Sequence, residues 1–311
     1  MSPPSSVTAF PFASTREPAR LDGIVHVALE AADLQRASAF YCDVLGFVAE
    51  PAVQIPRCGE HAVVRTIAGG RVALCRSDAT KPPDMGRHTA FAASPSGRAA
   101  ILQRLTERGV AVHAYEEDRP SERGDNCYFY DPDGNRIQLV TGADGALDHA
   151  GIQAIDIEWA EDLYVGFLGL PVDAVVGWRT EDYQRAARWG EGKEDMAPGT
   201  RRWDKRFAMR PGQGPMIARP NMQLFVRTGA ATLGVFLAYE RYQLPPEEQI
   251  AGTPRIGFRV AATEFATLAE RFAQAKIAVD GPHEHPPASP YRAALYARDR
   301  SGNFLEFCEE R

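Results

Sequence analysis

The sequence lacks several features that would each define a class of protein. Its apolar stretches are far shorter than the ~20 residues of a membrane-spanning helix, so no membrane partner is predicted. It also lacks an excess of basic charge: the net charge is −6, which argues against a nucleic-acid partner. It contains only five cysteines, an odd number without paired spacing. This pattern predicts free thiols and a cytoplasmic location rather than a disulfide framework.

The sequence also contains no phosphate-binding glycine loop, nucleophile elbow or CxxC motif. The first twenty residues are rich in serine and proline and lack a basic start followed by an apolar block. They do not resemble a secretory signal, and we expect residues 1–20 to form a flexible tail.

The chain carries an internal repeat. From His26 it reads HVALEAADLQRASAFYCDVLGF, and from His149 it reads HAGIQAIDIEWAEDLYVGFLGL, and the two segments align without a gap. A second pair closes each half, with DPDGNRIQLV from Asp131 and DRSGNFLEFC from Asp299. Repetition on this scale indicates a duplicated architectural unit. Function is then to be sought where the copies differ at polar positions.

Apolar periodicity predicts two βαβββ units in each half. The fold class expected is therefore α+β, with one domain over residues 21–142 and a second over residues 147–311. A stretch near residues 179–219 is too long for an ordinary loop. It is either a lid or interface segment or a surface insertion.

These motifs resemble the vicinal oxygen chelate superfamily, which includes glyoxalase I, bleomycin and fosfomycin resistance proteins, and extradiol dioxygenases. The resemblance is carried by HVAL at His26, HTAF at His88, YDPDGNRIQLV from Tyr130 and HAGI at His149. It implies glyoxalase-like domains whose sheets surround a divalent metal ion. The usual ligands are a first-strand His, a fifth-strand His and an eighth-strand Glu.

The ligand positions of the resemblance fall on different residue types in the two halves. The first-strand, fifth-strand and eighth-strand positions correspond to His26, His88 and Gln138 in the first half, and to His149, Arg255 and Glu306 in the second. If units from the two halves pair with each other, only His26 and His149 exchange. One set is therefore His/His/Gln and the other is His/Arg/Glu under either pairing.

The resemblance implies that His26, His88 and Gln138 bind a divalent metal ion (Fe, Mn, Zn or Ni), with His149 replacing His26 if the units are swapped. Gln138 would bind through a neutral carbonyl oxygen, so the ion would be held more weakly than by a carboxylate. Arg255 and Glu306 form either a structural ion pair or an anchor for an anionic substrate, and Glu306 is also a candidate base.

Tyr130 precedes the first closing turn and is a candidate proton donor in catalysis, although packing in the core is the commoner role. The resemblance implies a metal-dependent lyase, isomerase or dioxygenase acting on a small oxygenated or aromatic molecule. The alternative is a metal-free protein that binds a drug or natural product, with Trp178, Trp189 and Trp203 stacking on a flat ligand. The sequence leaves homodimer formation open.

Overall fold

The computed structural model describes residues 21–50, 55, 57–77, 87–114, 127–155, 157–176, 223–237 and 248–311. The expected tail (1–20), the long stretch near residues 179–219 and Trp178, Trp189 and Trp203 lie outside the described residues. No helix among the described residues is long and apolar enough to cross a membrane.

The described residues form four βαβββ units in succession, as the sequence predicted. Unit 1 comprises β1 (Leu21–Ala31), α1 (Leu34–Leu45), β2 (Val48–Glu50), β3 (His61–Arg65) and β4 (Arg71–Arg76). Unit 2 comprises β5 (His88–Ala93), α2 (Pro95–Glu107), β6 (His113–Ala114), β7 (Cys127–Tyr130) and β8 (Arg136–Thr141).

The second half repeats this order. Unit 3 comprises β9 (Leu147–Ala154), α3 (Ile157–Glu161) with a π-helical turn (Asp162–Phe167), β10 (Val172–Val176), β11 (Gln223–Thr228) and β12 (Ala231–Leu237). Unit 4 comprises β13 (Arg255–Val260), α4 (Ala262–Gln274), β14 (Val279–Glu284), β15 (Tyr291–Arg298) and β16 (Phe304–Glu310). The α+β class and the four units are confirmed.

Helix α1 shows how the repeated segment encodes its structure. The Asp33 side chain accepts a hydrogen bond from the Arg36 backbone N–H and caps the first turn. Gly46 ends the helix with φ of 74°, a conformation in which glycine avoids the strain of a Cβ atom. Between these residues the buried side chains, which include Ala37, Phe40 and Tyr41, recur at helical spacing.

The strands form two eight-stranded sheets, and each sheet combines one unit from each half of the chain. Sheet A has the order β14-β15-β16-β13-β1-β4-β3-β2, and sheet B has the order β10-β11-β12-β9-β5-β8-β7-β6. Units 1 and 4 join through antiparallel β1 and β13, and units 2 and 3 join through antiparallel β5 and β9. The boundary between residues 142 and 147 thus separates the halves of the chain but not the two sheets.

The helices pack on one face of each sheet and build a shared apolar core. That core contains Val27 and Leu29 of β1, Phe91 of β5 and the buried side chains of α1, α2 and α4. Because side chains alternate along a strand, His26 of β1 lies on the opposite face of sheet A. The faces turned away from the helices carry smaller apolar clusters and leave room for polar groups.

The second repeated phrase forms a buried hydrogen-bonded turn that ties the two sheets together. The Tyr41 hydroxyl of unit 1 donates to Asp131 Oδ2 of unit 2 at 3.0 Å, and Asn135 Nδ2 donates to the Glu30 carbonyl oxygen at 2.8 Å. Burial raises the pKa of Asp131 to about 6, although the hydrogen bonds from Asn135 and Tyr41 act in the opposite direction.

The second half repeats this contact, with the Tyr164 hydroxyl donating to Asp299 Oδ2 at 2.9 Å. Asn303 Nδ2 donates to the Gln153 carbonyl oxygen at 2.7 Å. The similarity of the two repeated segments within this chain therefore reflects a structural role: both segments dock neighbouring units.

One local prediction is wrong. Cys58 and Cys75 form a disulfide, so the expectation of free thiols fails for this pair; Cys42, Cys127 and Cys308 are free.

Tyr41→Phe and Tyr164→Phe should each lower the free energy of unfolding by about 1.5–3 kcal/mol, because each removes a buried hydrogen bond to a carboxylate. Chemical denaturation measures this difference. Tyr130→Phe is the matched control, since the Tyr130 hydroxyl makes no hydrogen bond among the described residues, and it should change stability by less than about 0.5 kcal/mol. Equal effects of all three variants would contradict the prediction.

Candidate functional site

Each sheet carries a polar site at the junction between its two units. We call His88, His149 and Gln138 the histidine-pair site, and His26, Arg255 and Glu306 the arginine site. In sheet B, Ala90 of β5 pairs with His149 on one side and with Gln138 on the other. In sheet A, Gly257 of β13 pairs with His26 and with Glu306 in the same way.

The strand pairing decides which residues meet. His26 lies in sheet A with Arg255 and Glu306, whereas His88 and Gln138 lie in sheet B with His149. The set His26, His88 and Gln138 is therefore not brought together. The arrangement is the swapped one, in which His149 stands in place of His26.

The two imidazoles of the histidine-pair site face each other. His88 Nε2 lies 2.9 Å from His149 Nε2, and the rings are perpendicular. His149 Nδ1 lies 2.6 Å from Asp148 Oδ2. A carboxylate only accepts hydrogen bonds, so His149 Nδ1 donates its N–H to Asp148, and Nε2 is the ring nitrogen turned toward His88. This is the orientation that a carboxylate gives to a metal-binding histidine.

A glycine provides the space for the His88 ring. His88 lies opposite Gly151 of β9, and a Cβ atom at Gly151 would lie 2.5 Å from His88 Cε1. Any side chain at this position would displace the imidazole. The neighbouring Gly234 of β12 similarly makes room for Phe225 and Phe236, since a Cβ atom there would lie 2.8 Å from Phe236 Cε2.

Gln138 supplies a third polar group. Its side chain is buried, and its Oε1 atom has no hydrogen-bond partner among the described residues. A buried carbonyl oxygen without a partner is costly, by roughly 1–3 kcal/mol. Gln138 lies on β8, which pairs with the strand that carries His88, and an oxygen in this state there fits the requirements of a metal ligand.

Aromatic rings surround the histidine pair. The Tyr128 and Phe236 rings lie 5.8 and 5.2 Å from the His88 ring, and the Phe225 ring lies 6.4 Å from that of His149. The Arg136 guanidinium stacks 4.1 Å above Tyr128. These residues form an apolar wall with one cationic group at its margin.

Sequence reasoning missed Tyr128 and Asp148. Tyr128 precedes Asp131 by three positions, as Tyr296 precedes Asp299, so anchoring the alignment on these aspartates would have found it. The predicted catalytic residue Tyr130 is half-buried at the end of β7, with its ring 6.4 Å from that of His113. Its role stays a prediction.

The arginine site is completely buried. Arg255 Nε donates to Glu306 Oε2 at 2.6 Å, and His26 Nε2 lies 2.9 Å from the same oxygen. His26 Nδ1 lies 3.1 Å from the Tyr291 hydroxyl, and the Tyr296 hydroxyl donates to Glu306 Oε1 at 3.2 Å. Burial opposes ionisation of Glu306, but Arg255 and His26 outweigh it and hold the pKa of this carboxyl well below its usual range.

A metal ion does not fit the arginine site. His26, Glu306 and Cys308 offer ligand atoms within 4.8 Å of one another. However, the guanidinium already bonds the carboxylate oxygen that would face an ion, and a cation beside it would meet like-charge repulsion. Burial and the Glu306 carboxylate also raise the pKa of the Cys308 thiol well above its usual value, so the thiolate ligand form is disfavoured.

Arg57 and Cys58 also contact the arginine site. Arg255 Nη1 donates to the Arg57 carbonyl oxygen at 3.2 Å, and Arg255 Nη2 lies 3.2 Å from Cys58 Sγ. The disulfide attaches Cys58 to Cys75 of β4. The guanidinium is therefore fixed both by Glu306 and by Arg57 and Cys58.

Glu306→Gln should lower the free energy of unfolding at pH 7 by roughly 3–5 kcal/mol, because it leaves the Arg255 charge buried without its carboxylate. The folded-state pKa of Glu306 is depressed, so its stabilisation is present above the ordinary value of 4.5 and is lost as pH falls below it. Denaturation between pH 5 and 2 should show a smaller loss of stability in the variant than in the wild type. Glu310→Gln, which affects a surface pair with Arg259, is the control; a loss as large as that of Glu306→Gln would contradict the assignment.

Comparison with known proteins agrees with this architecture. Residues 23–139 match the sequence profile of the Glyoxalase/Bleomycin resistance protein/Dioxygenase superfamily. A curated relative, metallothiol transferase FosB from Shouchella clausii, is 29% identical over 130 residues, which cover 39% of this chain and 82% of the relative.

Solved structures show the same fold over nearly the whole chain. Glyoxalase I from Zea mays has a TM-score of 0.60 at 13% identity, with 92% of each chain covered. A proposed dioxygenase from Bacillus subtilis has a TM-score of 0.60 at 14% identity, covering 94% of this chain and 86% of that protein. The profile match over residues 23–139 and these structures show that the chain has the glyoxalase-like fold of the vicinal oxygen chelate superfamily.

Proposed function

We propose that the histidine-pair site binds a divalent metal ion, and that the protein is a metal-dependent enzyme acting on a small oxygen-bearing molecule. The observation that carries this proposal is the 2.9 Å separation of His88 Nε2 and His149 Nε2. When two nitrogens each bind one ion at about 2.1 Å and the angle between the two bonds at the ion is about 90°, the nitrogens lie about 3 Å apart. The pair is therefore spaced for adjacent positions on a single ion.

The donor set favours a transition metal. His88 and His149 contribute imidazoles, and Gln138 contributes a neutral oxygen, whereas Mg²⁺ and Ca²⁺ prefer sites built from oxygens. This donor set supports Fe, Mn, Zn or Ni, and of these Fe, Zn and Ni are best suited to imidazole. The name of the Shouchella clausii relative, a metallothiol transferase, also supports a metal-dependent activity. When bound, the ion would act as a Lewis acid on a substrate oxygen.

The surrounding residues would orient the ligands and the substrate. Asp148 holds the proton on His149 Nδ1 and so keeps Nε2 available. Tyr128, Phe225 and Phe236 provide ring faces beside the histidines, which suits a small aromatic or otherwise apolar body. Arg136 adds a positive charge at the margin that can attract an anionic substituent.

Removing either histidine should abolish metal binding. After incubation with Co²⁺, Ni²⁺, Zn²⁺ or Mn²⁺ and equilibrium dialysis, the wild type should retain about one ion per chain, and His88→Ala and His149→Ala should retain none. The internal repeat provides a matched control, because His26 corresponds to His149 but lies in the arginine site. His26→Ala should keep its ion. Absence of bound metal in the wild type, or equal loss in His26→Ala, would refute the proposal and leave a metal-free binding protein.

Gln138→Glu should strengthen metal binding by on the order of tenfold or more, because a carboxylate adds the negative charge that the present donor set lacks. Isothermal titration with Ni²⁺ would measure the change in dissociation constant. Gln138→Leu, which has no ligand atom, should weaken binding relative to the wild type. Unchanged affinity in both variants would show that this residue does not bind the ion.

A further inference from the structure

The two polar sites are duplicates that differ in two residues, of which Arg255 is the decisive one. The repeat places Arg255 where the other site has His88, His26 where it has His149, and Glu306 where it has Gln138. In the arginine site the Glu306 Oε2 atom lies 2.6 Å from Arg255 Nε and 2.9 Å from His26 Nε2. The Arg255 guanidinium thus takes the place that the His88 imidazole has in the histidine-pair site.

We infer that Arg255 is the permanent cation of the arginine site, and that this residue excludes a metal ion from the site and confines metal binding to the other sheet. The guanidinium neutralises Glu306 within the fold. Further contacts with the Arg57 carbonyl oxygen and Cys58 Sγ keep it in place. The chain therefore keeps one of its duplicated sites for structure and the other for an ion.

The backbone beneath each site shows a second adaptation. In the histidine-pair site the glycine lies opposite His88, at Gly151. In the arginine site the corresponding residue opposite Arg255 is Ala28, and the glycine lies instead opposite His26, at Gly257. A Cβ atom at Gly257 would lie 2.4 Å from His26 Cε1. Each sheet has thus provided space for the ring that it actually holds.

This difference predicts how the arginine site becomes a metal site. Arg255→His would supply a second imidazole beside His26 and Glu306, a donor set of two histidines and one carboxylate. Since Gly151 provides the space for His88, the new imidazole should also require Ala28→Gly. The double substitution A28G/R255H should therefore create a site for a divalent transition-metal ion, and R255H alone should bind it less tightly.

The experiment uses the full chain with His149→Ala as background, so that the histidine-pair site cannot contribute. Equilibrium dialysis with Co²⁺, together with its visible absorption, measures the number of ions and the type of ligands. The H149A chain should bind no Co²⁺, and H149A/A28G/R255H should gain about one equivalent. H149A/A28G/R255K retains a cation at position 255 and should bind none. Circular dichroism checks that each variant is folded.

Two results would overturn the inference. One is a folded H149A/A28G/R255H chain that gains no Co²⁺. The other needs no redesigned site. If the wild type binds an ion that the H149A variant retains and the H26A variant loses, the arginine site already binds metal. These outcomes are separate from a failure of the proposed function, because a wild type without any ion leaves the expected gain in the redesigned site unchanged.

Discussion

The antiparallel pairing of β1 with β13 and of β5 with β9 determines the chemistry of the whole chain. These two strand pairs bring together units that are far apart in sequence, and each polar site lies across one of the junctions. Had the units paired within each half, His26 rather than His149 would have joined His88. The register also matters, because a shift of one residue would turn His88 and His149 toward the helices and the core.

The two sites show how a duplicated unit can diverge while the fold is kept. Both retain a histidine on the first strand, and both retain the buried tyrosine–aspartate contact that docks neighbouring units. Within the two sites, the changes fall at the polar positions and at the small residues beneath them. In the arginine site His26, Arg255 and Glu306 bond one another, whereas in the histidine-pair site Gln138 Oε1 lacks a partner among the described residues. An incompletely satisfied buried group is tolerated where a ligand can complete it.

Much of the fold was predictable from the sequence, because the repeat, the apolar periodicity and the capping residues all agree. The limits of α1 follow directly from Asp33 and Gly46. The candidate site was predictable only as two alternatives, since strand pairing between distant units leaves no local signal. The Cys58–Cys75 disulfide was missed because a spacing of 17 residues matches no motif, and only the fold brings the sulfurs together. The roles of Gly151 and Asp148 depend on cross-strand and side-chain geometry that periodicity does not encode.

The strand order also makes the two sheets nested in the chain: sheet B is built from residues 88–237, whereas sheet A needs both β1 and β16. During synthesis on the ribosome, the inner sheet can be completed while the last strands of the outer one are still to be made. The free edge of nascent β1 stays unpaired until β13, more than 200 residues downstream, has been synthesised. In that interval the edge is exposed to pairing with other chains. The order of translation thus favours early assembly of sheet B, which carries the histidine-pair site, and late closure of sheet A.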